Sequence, residues 1–273
     1  MTDNQTVQAY TDAWTQSIES IAGLVAPLPT DAWNRATECP GWSVRDVVSH
    51  VIAFESELLG DPRPIHSLPR DLRHVTDEFA RYVELPVDKR RCHTAPEMTS
   101  ELEYTIIRRS RALRNAKYTP TEPVRWPAGP HTRELPYHEL LRNRVFDVWV
   151  HEQDLRRALG EPGNLDSPAA LITRDVLLSA LPKAVARQAG APAGTALVVD
   201  VTGPVEFLRT VRVDASGRGT VDESISLAPD VQLTLDWETY VRLACGRGRP
   251  GPVTVEGDQE LAARVLANFS VTP

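Results

Sequence analysis

The sequence predicts an α+β protein: an N-terminal four-helix bundle followed by a smaller C-terminal α/β domain. Three observations point there. Up to Gly160 the apolar residues recur at helical spacing. Beyond Gly160 the chain turns to short β-branched or alternating runs bounded by Gly, Pro and Asp. A length of 273 residues exceeds an ordinary single domain, so two cores are expected, in residues 1–165 and 166–273.

Taken in order, Thr6 to Val25 places Ala9, Ala13, Ile18, Ile21, Leu24 and Val25 on one face, and Pro27 and Pro29 end that helix. Ser43 and Asp46 form a capping-box pattern that opens a second helix, with Val44, Val47, Val48, Val51, Ile52 and Leu58 as its core face. Gly60 and Pro62 close it. The proline-rich segment Asp61 to Arg73 is long for a connector and reads as cover for a site. A weaker pattern from Thr76 to Val83 precedes a helix from Thr99 to Lys117, with Leu102, Ile106, Ile107 and Leu113 inward. Pro120, Pro123, Pro127 and Pro130 mark a crossing. The last bundle helix begins near Leu135 to Tyr137 and runs to Leu159, with Gly160 as its C-terminal stop. A helix from Ser167 to Gln188 then leads to strands at Ala196 to Val201, Leu208 to Val213, Gly219 to Ser224 and Asp230 to Leu235. Trp237 to Cys245 (helix), Val253 to Val255 (strand) and Gln259 to Asn268 (helix) complete the unit.

A net charge of -7, with 41% hydrophobic and 25% charged residues, describes a globular chain and speaks against nucleic acid as a partner. Met1 to Tyr10 is polar and lacks the pattern of a signal peptide, and no apolar run approaches bilayer length, so a cytoplasmic protein is expected. Cys39, Cys92 and Cys245 are odd in number and far apart, which suggests neither a disulfide framework nor a C-x-x-C metal site.

Asp147 and His151, at i and i+4, project from one face of the last bundle helix. If that helix packs beside the second, His50 joins them. Two imidazoles and one carboxylate leave coordination positions open, which marks a catalytic rather than a closed metal site. Zinc suits this donor set first, with nickel, manganese and iron also open. The competing reading is an ordinary ion pair, but both histidines sit among Val, Trp and Phe, where an unpaired ring is costly. Asp46 could add a fourth ligand or accept from one, but as a first-turn carboxylate it serves the cap and helix dipole, the role favoured here, and Asp154 either orients His151 or pairs with Arg157 or Arg45. His66, His74, His93, His131 and His138 are poorer candidates, expected to be mostly exposed. Cys39 is weighed as a nucleophile against burial as a small hydrophobe. Arg247, just past a helix-ending glycine, suits a carboxylate or the helix C-terminus itself, with Arg249 as the alternative.

Two segments carry a family resemblance. Glu38-Cys-Pro-Gly-Trp-Ser-Val-Arg-Asp-Val-Val-Ser-His50 and Phe146-Asp-Val-Trp-Val-His-Glu-Gln-Asp-Leu-Arg-Arg-Ala-Leu-Gly160 resemble the signature segments of the mycothiol-dependent maleylpyruvate isomerase family. The resemblance implies a DinB-like bundle, a C-terminal domain similar to sterol carrier proteins, and zinc held at the positions of His50, Asp147 and His151. The better-known isomerase has glutamate where this chain has Asp147, and the shorter arm leaves the metal's identity open. The family's catalytic arginine carries over to Arg247. Mycothiol, the low-molecular-weight thiol of actinobacteria, is implied as cosubstrate, its thiolate adding to an electrophilic small molecule. Cis–trans isomerisation and S-transfer are both expected outcomes. The competing classes are a metal-dependent hydrolase using bound water and a non-enzymatic small-molecule or metal-binding protein.

Overall fold

The computed structural model describes residues 3–248 and 251–271, and Arg249 lies outside them. The chain divides into two compact units, Met1–Gly163 and Asn164–Pro273. The α+β expectation holds: helices dominate the first unit, and a five-stranded sheet with helices forms the second. No described helix is long and apolar enough to cross a membrane.

The first unit contains α1 (Asp3–Val25), α2 (Val44–Leu58), α3 (Glu78–Arg90), α4 (Ala95–Arg114) and α5 (Tyr137–Leu159). α1 and α2 each pack against both α4 and α5. Ile18, Ile21, Val48, Val51, Ile52, Met98, Leu102, Val145 and Val148 meet in its core. α2 starts where the capping box predicted: Ser43 accepts from the Asp46 amide, and the Asp46 carboxylate accepts from the Ser43 amide at 2.8 Å. Asp46 also binds Arg91 Nε at 2.9 Å, so its role is structural. α5 ends at Gly160 in the left-handed conformation (φ 75°), the cap glycine supplies without steric cost.

Four details differ from the sequence reading. α3 runs well past Val83 and through Pro86. A proline removes one helix donor and leaves the carbonyl four residues back unmatched. Here that carbonyl belongs to Tyr82 and accepts from Arg63 Nη2, which makes the proline tolerable. Ile107 points out to solvent at 66% exposure, while Leu102, Ile106 and Leu113 are buried as expected. The proline-rich crossing holds a two-stranded antiparallel hairpin, β1 (Pro123–Trp126) with β2 (Arg133–Pro136). The prolines sit opposite each other at its open end, where a missing ladder donor costs least. Finally, His66, His74, His93 and His138 are half-buried rather than exposed, facing Asp88 at 2.6 Å, Glu84 at 3.0 Å, Glu101 at 3.5 Å and the Pro120 carbonyl at 2.7 Å.

The second unit begins with α6 (Pro168–Lys183), capped by Ser167 and followed by a π-helical turn over Ala184–Gln188. Its strands are β3 (Ala196–Thr202), β4 (Phe207–Val213), β5 (Gly219–Asp222), β6 (Val231–Asp236) and β7 (Thr254–Gly257), in spatial order β5-β4-β3-β6-β7. Only the β3–β6 pair is parallel. α7 (Trp237–Ala244) and α8 (Gln259–Ala267) close the unit. Val199, Val211, Leu233, Trp237, Tyr240, Val265 and Phe269 form its core.

Candidate metal centre

α2 and α5 pack side by side and bring His50, Asp147 and His151 together. One ligand atom from each lies within 4.8 Å of the others. The two imidazoles address different oxygens of one carboxylate: His50 Nε2 is 3.5 Å from Asp147 Oδ2, and His151 Nε2 is 3.7 Å from Oδ1. Both gaps are too wide for good hydrogen bonds. They match the separation of about 3.4 Å between ligand atoms around a tetrahedral zinc with bonds near 2.1 Å. His50 Nε2 is buried and has no hydrogen-bond partner, an orphaned acceptor or donor that a cation would satisfy. The residues present therefore fit a divalent metal.

The electrostatics favour the ligating forms. Burial holds the His50 pKa below the ordinary value of 6.5, outweighing the opposing pull of Asp147, so the ring is neutral. For Asp147 burial acts upward, but the Arg144 guanidinium prevails, joined by the two imidazoles once they are protonated in the acid range where Asp147 titrates, and holds the carboxyl well below 3.8. Arg144 Nη1 donates to Asp147 Oδ2 at 2.9 Å. Its Nε donates to Glu55, also at 2.9 Å, and Glu55 further accepts from Arg109 Nε and Trp14 Nε1 at 2.9 Å each. Glu55 and Arg144 are almost fully buried, so the network fixes the Asp147 side chain from beneath.

His151 is fixed from its other nitrogen. Nδ1 lies 3.1 Å from Asp154 Oδ2, which assigns the proton to Nδ1 and frees the Nε2 lone pair. Asp154 Oδ1 takes Arg157 Nη2 at 2.7 Å, so the pairing with Arg157 also holds, while Arg45 donates instead to the His93 carbonyl. The Trp42 ring stands 5.2 Å from His50 and 6.2 Å from His151, its indole N–H held by Glu84 at 2.9 Å. Phe54 lies 6.3 Å from His50 and 5.0 Å from Trp126 of the hairpin.

Arg247 belongs to the second unit, past α7, at 9% exposure. Its Nη1 donates to the Cys245 carbonyl at 2.7 Å, a contact of the helix-capping kind. Sequence reasoning missed the Glu55–Arg144 network and the aromatic flanks. The signal for the first was present: Glu55 follows Val48, Val51 and Ile52 along the apolar stripe of α2, and Arg144 lies three residues before Asp147.

A helical bundle that brings two histidines and a carboxylate together between two of its helices, continued by a small α/β unit, defines a two-domain α+β class with a candidate metal centre in its bundle. Residues 14–156 match the family described as the mycothiol maleylpyruvate isomerase N-terminal domain, and residues 172–264 match its C-terminal domain. The chain belongs to the mycothiol maleylpyruvate isomerase family. Two solved structures are similar. One is a crystal structure of the mycothiol-dependent maleylpyruvate isomerase, at 18% identity and a TM-score of 0.54, covering 92% of each chain. The other is a His-to-Ala variant of that enzyme, at 17% identity and a TM-score of 0.58, also covering 92% of each chain. No curated protein matches the chain.

Proposed function

We propose that this protein is a mycothiol-dependent isomerase or S-transferase, acting in the cytoplasm, whose first domain holds a divalent metal, zinc first, on His50, Asp147 and His151. The observation that carries this reading is the orphaned His50 Nε2 facing the same carboxylate as His151 Nε2. A cation bound there would stabilise a thiolate at neutral pH. The chain's own residues prepare that role. Arg144 keeps Asp147 ionised and aimed, Asp154 holds the proton on Nδ1 of His151, and burial keeps His50 neutral. Trp42 shields both rings from water on one side.

The thiolate adds to the electrophile's double bond, turning it into a single bond that rotates. Expulsion of the thiolate then yields the isomer and regenerates the thiolate. If the carbon is protonated before expulsion, the conjugate remains, which is S-transfer. Arg247 is proposed to steady a substrate carboxylate and the enolate formed on addition. The test is turnover of an α,β-unsaturated carboxylate by wild-type protein with and without mycothiol. Turnover that requires mycothiol supports the reading. Turnover independent of thiol would replace it with the reading in which bound water, as in the hydrolase alternative, is the nucleophile.

A further inference from the structure

We infer that Cys39 is a positioning residue: its thiol, donating to Asp154, steadies the carboxylate that fixes the ring of His151, and the same bond keeps Cys39 from serving as a metal ligand. This rests on the proposed metal role of His151. Cys39 Sγ lies 3.0 Å from Asp154 Oδ2, the same oxygen that faces His151 Nδ1 at 3.1 Å. Cys39, His151 and Asp154 are all buried, at 5%, 6% and 0% exposure. A thiol is a weak donor, but a carboxylate acceptor in a water-excluded setting strengthens the bond.

Cys39, His151 and Asp154 also offer ligand atoms within 4.8 Å of one another, so a second metal position among them has to be weighed. Two features oppose it. Asp154 Oδ1 is held by the Arg157 guanidinium at 2.7 Å, which is itself paired with Glu38 at 2.9 Å. A cation there would sit beside a fixed positive charge. It would also have to take the proton from His151 Nδ1 while Nε2 faces Asp147. The arrangement is instead satisfied by protons: S–H and N–H converge on one oxygen, and Arg157 covers the other.

The backbone delivers this thiol deliberately. The Cys39 amide donates to Thr37 Oγ1 at 3.2 Å, and its carbonyl accepts from the Trp42 amide at 3.0 Å. The turn passes through Gly41 (φ 77°), where a Cβ would collide with the His74 ring at 2.3 Å. One short connection thus sets the thiol behind His151 and the Trp42 ring beside it. An enzyme that takes an external thiol has reason to hold its own nearby thiol in the protonated, donating state.

The test compares wild type with Cys39→Ala, Cys39→Ser and Asp154→Asn, using ¹⁵N-histidine NMR on metal-free protein and zinc affinity by chelator competition. Wild-type His151 is expected as the Nδ1–H tautomer. Cys39→Ala should give mixed tautomers and zinc binding weakened about tenfold. Cys39→Ser, which keeps a donor, should recover to within about threefold of wild type. Zinc affinity within about twofold of wild type and an unchanged tautomer in Cys39→Ala would overturn the inference. Should that variant not fold, an unchanged tautomer in Asp154→Asn would do the same. Cobalt-substituted wild type should show no intense near-ultraviolet thiolate-to-metal band; such a band would overturn the inference by making Cys39 a ligand. If wild type takes up no metal, the metal reading fails, while the tautomer measurement still decides the role of Cys39.

Discussion

Glu55→Gln is the sharpest test of how the bundle positions its site. Glu55, Arg109, Arg144 and Asp147 form a charge-balanced set, and Glu55 accepts hydrogen bonds from both guanidiniums. A charge pair near 4 Å at an effective dielectric of about 20 is worth about 4 kcal/mol, and Glu55 faces two such partners. Glutamine keeps the shape and one acceptor oxygen, but it turns an N–H group toward a donor, leaves Arg109 without the carboxylate it pairs with and leaves Arg144 with Asp147 alone. Breaking a buried pair in this way costs about 3–5 kcal/mol. For a domain of this size each kcal/mol shifts Tm by about 2–4 °C, so metal-free Glu55→Gln should melt about 6–20 °C below wild type. Circular dichroism melts with chelator present measure this directly. A drop smaller than about 3 °C would refute the claim that the network holds Arg144 and Asp147 in place.

Further outcomes follow from other residues. Ser43→Ala removes the cap of α2 and should cost about 1 kcal/mol, a small fall in Tm with metal content retained; a larger loss of metal than of stability would contradict a purely structural Ser43–Asp46 box. Arg247→Ala should leave folding and metal content unchanged and slow turnover of carboxylate electrophiles, and undiminished kcat/KM would remove Arg247 from the chemistry. On acidification, the metal-free protein should lose stability: burial holds His50 below its ordinary 6.5, so under that pH the folded state binds fewer protons than the unfolded chain. Asp147, held well below 3.8 despite its burial, adds a second loss as pH falls further. A Tm that is flat or rises from pH about 7.5 to about 5.5 would show that His50 is not held neutral in the fold.

The sequence made α2 and α5 legible because their signals are local. Ser43 and Asp46 mark one start, Gly160 marks one stop, and between them His50, Asp147 and His151 fall on faces that must meet once the two helices pack. The family followed from the two segments that carry these residues, and the matches over residues 14–156 and 172–264 bear it out. Features set by distant partners were not legible. Pro86 argues against a helix until Arg63 is seen to fill the carbonyl it orphans. The hairpin at Trp126 hides behind four prolines, and its strands are only four residues long. Cys39 showed no histidine nearby in sequence, because His151 reaches it only through the packing of α5 against the connection before α2.

The central claim is that His50, Asp147 and His151 hold one divalent metal. The direct measurement is elemental analysis of protein prepared without chelators, beside His50→Ala and His151→Ala variants shown to be folded. The account predicts one equivalent of zinc or another divalent metal in wild type and loss of it in both variants. A folded wild type that carries no metal and takes none up on titration, or variants that keep a full equivalent, would contradict it.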